Sequence, residues 1–364
     1  MVELAEKLET GVDADIAFAF DNGFVACDNG YADQKIVHWS HNNGVREMKE
    51  ILLPSRAQMG AINISFDGKS TGVYEINNTN WTVGRDVNDP ESIRGKEYAV
   101  SDLNTVLVNH SLIAAGFGGR SVELATGLPF DHFHKGTDFD EEFIEKVKKS
   151  LKAVVSAKGD SKAAKITNHQ IFPESVAAFV DHACTDKGIK NWFQKGMEAE
   201  GATPLVSGCA IVDIGGNTTD ITYINPNITT DRLRSGTKKL GVLDVRTKLK
   251  QLILTAYGID QIRDSQLDNA LRTGECNIFG KAEDVSEHIQ TAKRESVQKL
   301  MNHVSETIGD AADLDFVLFV GGGAEVLGDV IKKYKHAIVP DRPQFANARG
   351  MLKRMTFMRV DPKD

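Results

Sequence analysis

The chain has 364 residues, 41% hydrophobic and 26% charged, which excludes a disordered or collagen-like polymer and leaves room for about two domains. Acidic residues (51) outnumber basic ones (43), and the formal charge of −8 argues against direct binding to nucleic acid. No apolar run reaches the ~18 residues of a membrane span and no leader peptide is evident, so a cytoplasmic protein without a membrane partner is expected.

In chain order, residues 1–11 can form a short helix with Val2, Leu4, Ala5 and Leu8 near one face. Two apolar segments, 16–20 (IAFAF) and 24–27 (FVAC), read as strands, followed by further strands at 36–39, 62–66 and 73–76. Residues 104–116 read as a helix and 122–126 as a strand. Residues 140–155 form an amphipathic helix with Phe143, Ile144, Val147, Leu151 and Val154 at helical spacing. A short strand at 166–172 precedes a helix opened by Pro173. Residues 185–207 are polar and read as a connecting excursion. Strands at 209–213 and 220–224 flank a turn, helices follow at 242–256 and 282–308, and 316–320 is a buried strand before a helix at 326–334. This mixture predicts an α/β fold. The four cysteines, Cys27, Cys184, Cys209 and Cys276, form no CxxC pair and read as small buried hydrophobes of a reducing compartment. His132 and His134 stand close together but lack a third ligand for a metal site.

Three glycine turns at strand ends carry the chemistry. In residues 28–35 (DNGYADQK), Asp28 ends a strand, Gly30 lets backbone N–H groups approach a phosphate, and Lys35 can reach phosphate oxygens from the returning strand, with Tyr31 in the same turn. Asp21-Asn22-Gly23 just upstream looks alike, but seven positions after Asp21 stands Asp28 rather than a lysine. In residues 213–220 (DIGGNTTD) the same architecture returns: Asp213 suits the water shell of Mg²⁺, Gly215 and Gly216 clear space for a polyphosphate, and Asn217 and Thr218 add polar donors. The third turn, Gly321-Gly322-Gly323-Ala324, precedes a helix and can lay a flat nucleoside against the backbone. The chain contains no GxxxxGK[ST], so a P-loop is excluded.

The order of these turns resembles the phosphate 1, phosphate 2 and adenosine motifs of the actin, sugar-kinase and heat-shock chaperone superfamily. Within it, residues 124–129 (LATGLP), 171–175 (IFPES), 213–220 and 321–327 (GGGAEVL) resemble the ParM/StbA plasmid-segregation actins of prokaryotes, in order from about Val25 to Met351. Residues 1–24 and the excursion at 185–207 depart from that pattern. The resemblance implies an actin-like, ribonuclease H-like duplicated α/β fold with two domains around a nucleotide cleft: residues 1–171 with 345–364, and residues 172–344. It implies ATP, or GTP, with Mg²⁺ as the bound group. Asp28 and Asp213 would serve the metal, Glu174 would position the attacking water, and the three turns would contact the nucleotide. It further implies self-assembly into filaments and a separate DNA-binding adaptor. A monomeric small-molecule kinase and a membrane-associated cytoskeletal actin are the alternatives. Asp220 is expected to orient the second hairpin, and Lys293 and Arg294 to lie on a solvated helix face.

Overall fold

A computed structural model describes residues 16–42, 45–61, 72–85, 87, 90–92, 95–159, 161–183, 205–324 and 331–357. The expectations for 1–11 and 62–66, most of the excursion at 185–207, Cys184 and the first turn of the helix at 326–334 lie outside these residues.

The fold is one pattern used twice. Strands β1 (Phe24–Asn29), β2 (Asp33–Asn42) and β3 (Val45–Pro54) form an antiparallel meander. A small sheet follows, built from β4 (Ala57–Met59), β5 (Val73–Ile76), β6 (Thr79–Val83) and β8 (Ser156–Ala157). Strands β7 (Ser121–Leu128) and β9 (Lys165–Pro173) then return parallel to β1, giving the order β9-β7-β1-β2-β3. The second lobe repeats this with β10 (Cys209–Ile214), β11 (Thr219–Ile224), β12 (Thr230–Lys238), β13 (Phe316–Val320) and β14 (Ala337–Ile338), in the order β14-β13-β10-β11-β12. Both central strands, FVACDN and CAIVDI, are buried along their whole length because helices cover both faces of each sheet.

Side-chain alternation divides each sheet between two cores. Val25, Cys27 and Ile36 face α1 (Asp102–Leu112) and α2 (Glu141–Leu151), where Val108, Leu112, Val147 and Leu151 close the layer. Phe24, Ala26, Val37 and Trp39 face the opposite way, onto Phe345, Ala348, Met351 and Met355. In the second lobe Ala210, Val212 and Ile214 meet Leu300, Val304 and Ile308 of the long helix Ser286–Ile308. Cys209, Ile211, Leu318 and Val320 meet Ala178 and Phe179 of α3 (Glu174–Ala183).

Helix α3 therefore serves both lobes, since its Ala177 and Val180 belong to the first-lobe core. Helix α4 (Val242–Tyr257), α5 (Asp264–Thr273) and α6 (Ser286–Ile308) belong to the second lobe, and α7 (Ala346–Phe357) returns to cross α3. The crossing is as close as two backbones allow: a Cβ on Gly350 would overlap the Ala177 carbonyl. An ion-pair network locks the pair. Asp181 of α3 binds Arg349 Nε and Lys353 Nζ, both at 2.8 Å, while Arg349 Nη1 reaches Glu50 of β3 at 3.0 Å. Arg342 also pairs with Glu50.

Several sequence expectations shift. Residues 16–21 are helical rather than extended, with Ile16 and Ala19 buried on one side; an apolar run this short does not distinguish the two periods. The helix expected at 282–308 starts at Ser286. Before it, residues 281–284 pair with 275–278 in a hairpin, and Asp284 caps the helix by accepting from the Ser286 N–H at 2.9 Å. The helix expected at 104–116 begins with an N-cap at Ser101, whose hydroxyl accepts from Asn104 N–H at 3.1 Å, and its last turn widens over residues 113–117. Strands β3 and β12 and helix α5 were not foreseen. Among the described residues, no helix is long and apolar enough to cross a membrane.

Candidate nucleotide site between the lobes

The two central hairpins carry matched cross-strand pairs. Asp28 stands opposite Lys35 on β1 and β2, and Asp213 stands opposite Asp220 on β10 and β11. Both aspartates end fully buried strands, so their carboxylates emerge where the sheets stop and the glycine turns begin. Asp28, Gly30, Tyr31, Lys35, Glu174, Asp213, Gly215, Gly216, Thr218, Asp220 and Gly321 all line one cavity between the lobes. The hairpin turns nearly touch across it: a Cβ on Gly216 would sit 2.7 Å from the Ala32 methyl.

The electrostatics are unusual. Four carboxylates, Asp28, Glu174, Asp213 and Asp220, share this space, and among the described residues Lys35 is the one ammonium that lines it. Lys35 Nζ lies 3.2 Å from Asp28 Oδ2, and the surrounding carboxylates hold its pKa high against the cost of burial. Burial, reinforced by Asp28, pushes Asp213 up to about 6 despite a hydrogen bond from Asn347. Burial and Asp213 push Asp220 up to about 7. Glu174, at the first turn of α3, is raised well above the ordinary carboxyl range by burial and by Asp28, Asp220 and Asp213. Such a cluster is starved of positive charge and suits a divalent cation. Among the described residues no three of these groups stand close enough to chelate an ion by themselves. Mg²⁺ keeps several waters and takes one or two carboxylates together with phosphate oxygens, so Asp28 and Asp213 could hold it without a third protein ligand.

Asp220 does more than orient its hairpin. Its Oδ1 accepts from Phe130 N–H at 3.0 Å and from the Thr237 hydroxyl, which joins the loop after β7 to the second lobe. Asp131 extends the seam by accepting from Thr237 N–H at 3.0 Å and pairing with Arg232 at 3.0 Å. Tyr31 is held by Gly95, donating to its carbonyl at 3.1 Å and accepting from its N–H at 3.0 Å, and its ring lies 4.8 Å from that of Tyr98.

The third turn divides its residues. Gly321 (φ +82°) leaves no room for a side chain, because a Cβ there would meet the Ile214 carbonyl and stand 2.5 Å from Asp213 Oδ1. Gly323 opens onto a second cavity of about 300 Å³, walled by Val242, Thr247 and Lys248 of α4 and by Ser296 and Leu300 of α6. Gly322 is exposed. Ala324 and Asn217 line neither cavity. Ala324 is instead buried in the second-lobe core with Phe319 and Ile331, because the chain dives under the sheet as the turn closes. Lys293 and Arg294 are exposed; the residues of α6 that reach this cavity are Glu295, Ser296, Val297, Lys299 and Leu300.

Sequence reading missed several residues that complete the site. Asn347, in the first turn of α7, donates from Nδ2 to Asp213 Oδ2 at 2.7 Å. Gly127 makes room for Glu174, whose Cγ would stand 2.6 Å from a Cβ at that position. Arg56 of the first lobe and Arg246 of α4 both bind Asp268 of α5, at 3.2 and 3.3 Å, spanning a further crevice that begins at Tyr31 and Tyr98. The glycine in 124–129 was in view, but nothing in a single sequence brings Asn347 or Asp268 to the cleft.

Comparison with known proteins bears on the fold. Residues 24–184 match the family model of plasmid segregation protein ParM, N-terminal, and residues 211–333 match that of the archaeal actin homologue MreB-like, C-terminal. No curated protein matches the chain by sequence. Among solved structures, the archaeal actin homologue Ta0583 superposes with a TM-score of 0.69 at 20% identity, over 92% of this chain and 99% of its own. A ParM from a 15-stranded filament of Clostridium botulinum gives 0.67 at 18% identity, over 92% and 99%. The actin-like protein Alp7A gives 0.68 at 14% identity, over 93% and 97%. The chain thus has the actin-like fold, with residues 24–184 matching the ParM N-terminal model and residues 211–333 the archaeal MreB-like C-terminal model.

Proposed function

We propose that this protein is an ATPase that binds ATP with Mg²⁺ between its lobes, assembles with it into filaments, and serves to segregate DNA through a separate adaptor. The observation that carries this reading is the convergence of Asp28, Asp213 and Glu174 on one glycine-walled cavity that adjoins the cavity at Gly323. The Ta0583 homologue has been solved in complex with ADP, and the Clostridium botulinum ParM as a filament, which supports both parts. We assign the lobes as residues 1–171 with 345–364, and 172–344.

The backbone N–H groups of the turns at Gly30 and Gly216 would receive the phosphates, with Gly215 giving close approach while its own N–H closes the turn on Thr218, and with Lys35 supplying an ammonium between them. Asp28 and Asp213 would hold Mg²⁺ through its waters, and the cation supplies charge neutralisation at the phosphate oxygens. The purine would enter the cavity beside Gly323. Glu174, facing the phosphate turns from the first turn of α3, would accept a hydrogen bond from the attacking water and hold it in line. A residue raised toward neutrality by its neighbours suits that task once a cation relieves the repulsion. The net charge of −8 disfavours direct contact with DNA, which assigns that contact to an adaptor. Head-to-tail contacts between identical copies do not close and so extend as filaments.

Sedimentation and electron microscopy with ATP, GTP, ADP and a non-hydrolysable triphosphate test the reading. A pellet of filaments with triphosphate is expected, with Glu174→Ala assembling normally but releasing phosphate at least ~100-fold more slowly. Persistent monomers at high concentration with every nucleotide would remove the filament. Unchanged hydrolysis by Glu174→Ala would remove its role.

A further inference from the structure

Asn347 is buried and tied to a carboxylate on which the proposed function depends. Its Nδ2 donates to Asp213 Oδ2 at 2.7 Å, and only 5% of the residue is exposed. Its Oδ1 is also buried and has no hydrogen-bond donor among the described residues. An amide oxygen left unpaired at this depth is costly, and it persists where a site requires it. Asn347 lines the same cavity as Asp28 and Glu174, so this unpaired acceptor belongs to the wall that surrounds the two carboxylates.

The position of Asn347 in the fold adds a second consequence. It belongs to the first turn of α7, as Glu174 belongs to the first turn of α3. The two helices cross at Gly350 and Ala177, and Asp181 ties them through Arg349 and Lys353. The groups that face the cavity from these helices are thus fixed to one rigid pair, and the first lobe packs on that pair through Phe345, Met351 and Met355.

We propose that Asn347 is a positioning residue for the cation site. Its amide N–H holds the Asp213 carboxylate toward the cavity, its carbonyl oxygen accepts from a cation-bound water, and α7 carries the position of both into the helix pair between the lobes. This rests on the nucleotide reading given above. Partners that orient the ligands of a metal are commonly worth 10–100-fold in metal affinity.

The test uses the full-length protein with Mn²⁺ as the probe. Electron paramagnetic resonance reads Mn²⁺ bound to the protein–nucleotide complex, and a fluorescent nucleotide in excess chelator reads metal-free binding. Asn347→Leu keeps the branched shape and removes both polar functions. It should weaken Mn²⁺ binding by ~10–100-fold, raise the half-saturating Mg²⁺ for hydrolysis to match, and leave metal-free nucleotide affinity within about twofold. Asn347→Ala provides the same reading if the leucine variant does not fold. Unchanged Mn²⁺ affinity in the variant overturns the inference, and so does a parallel loss of metal-free nucleotide affinity, which marks a purely structural role. A wild type that binds neither Mn²⁺ nor nucleotide overturns the functional reading and this inference with it, so the two failures are told apart by the wild-type control.

Discussion

Replacing Asp220 with asparagine should stabilise the nucleotide-free protein, and by an amount that depends on pH. Asp220 is almost wholly buried, and its Oδ1 accepts from Phe130 N–H and the Thr237 hydroxyl. An asparagine oxygen can accept both bonds, so the substitution removes charge and keeps shape. Burial and the neighbouring Asp213 raise the carboxyl from 3.8 to about 7. The folded pKa therefore exceeds the unfolded one: the ionisation penalty is absent below 3.8, grows as pH rises, and is complete above about 7. At ~1.4 kcal/mol per pH unit, it is ~2 kcal/mol at pH 5 and ~4 kcal/mol at pH 8. Buried histidines such as His169, pushed down to about 3, titrate over an overlapping range with the opposite sign. They are common to both proteins and cancel in the difference. Urea unfolding of wild type and Asp220→Asn at pH 5 and pH 8 reads the effect directly. A stability difference that is flat across this range, or an asparagine variant less stable at pH 8, would refute the electrostatic account of the cavity.

Two further outcomes follow from the same structure. Lys35→Met removes the ammonium facing four carboxylates and leaves Asp28 buried and unpaired, so the nucleotide-free protein should lose ~3–5 kcal/mol at neutral pH; a loss under ~1 kcal/mol by denaturant titration would contradict the pairing. Gly350→Ala gains ~1 kcal/mol of helix propensity but forces α7 off the Ala177 carbonyl, and overpacking of this kind costs ~1–3 kcal/mol. Because the obstacle is backbone, a net loss is expected, and a melting temperature at or above wild type would show that the crossing has slack.

The parts of the site legible in sequence are those that one stretch of chain encodes by itself. An apolar run, a terminal aspartate and a glycine turn declare a buried strand whose end opens on a cavity, and this holds for both Asp28 and Asp213. The hairpin spacing likewise sets Lys35 opposite Asp28. The glycine run was legible only as a unit. The structure separates it into Gly321 under Asp213, an exposed Gly322, Gly323 at the second cavity and a core Ala324, because successive residues point in different directions where the chain turns inward. The hairpin at 275–284 was hidden for a local reason. Its turn places Phe279 at φ 49°, a conformation that asparagine or glycine ordinarily signals. Asn347, Arg56 and Asp268 could not be found this way, since their partners lie far off in the chain and only tertiary packing brings them together.

The return of α7 to the first lobe sets a timetable for biosynthesis. Trp39 donates its indole N–H to the Thr356 hydroxyl, 317 positions downstream, and Phe24 and Ala26 share a core with Met351 and Met355. While the ribosome is still translating the second lobe, one greasy face of the first sheet lacks the part of its cover that α7 supplies. That lobe is born unfinished and closes only after its counterpart has been made, so a nascent chain stalled before residue 346 should depend on chaperones in a way the released protein does not.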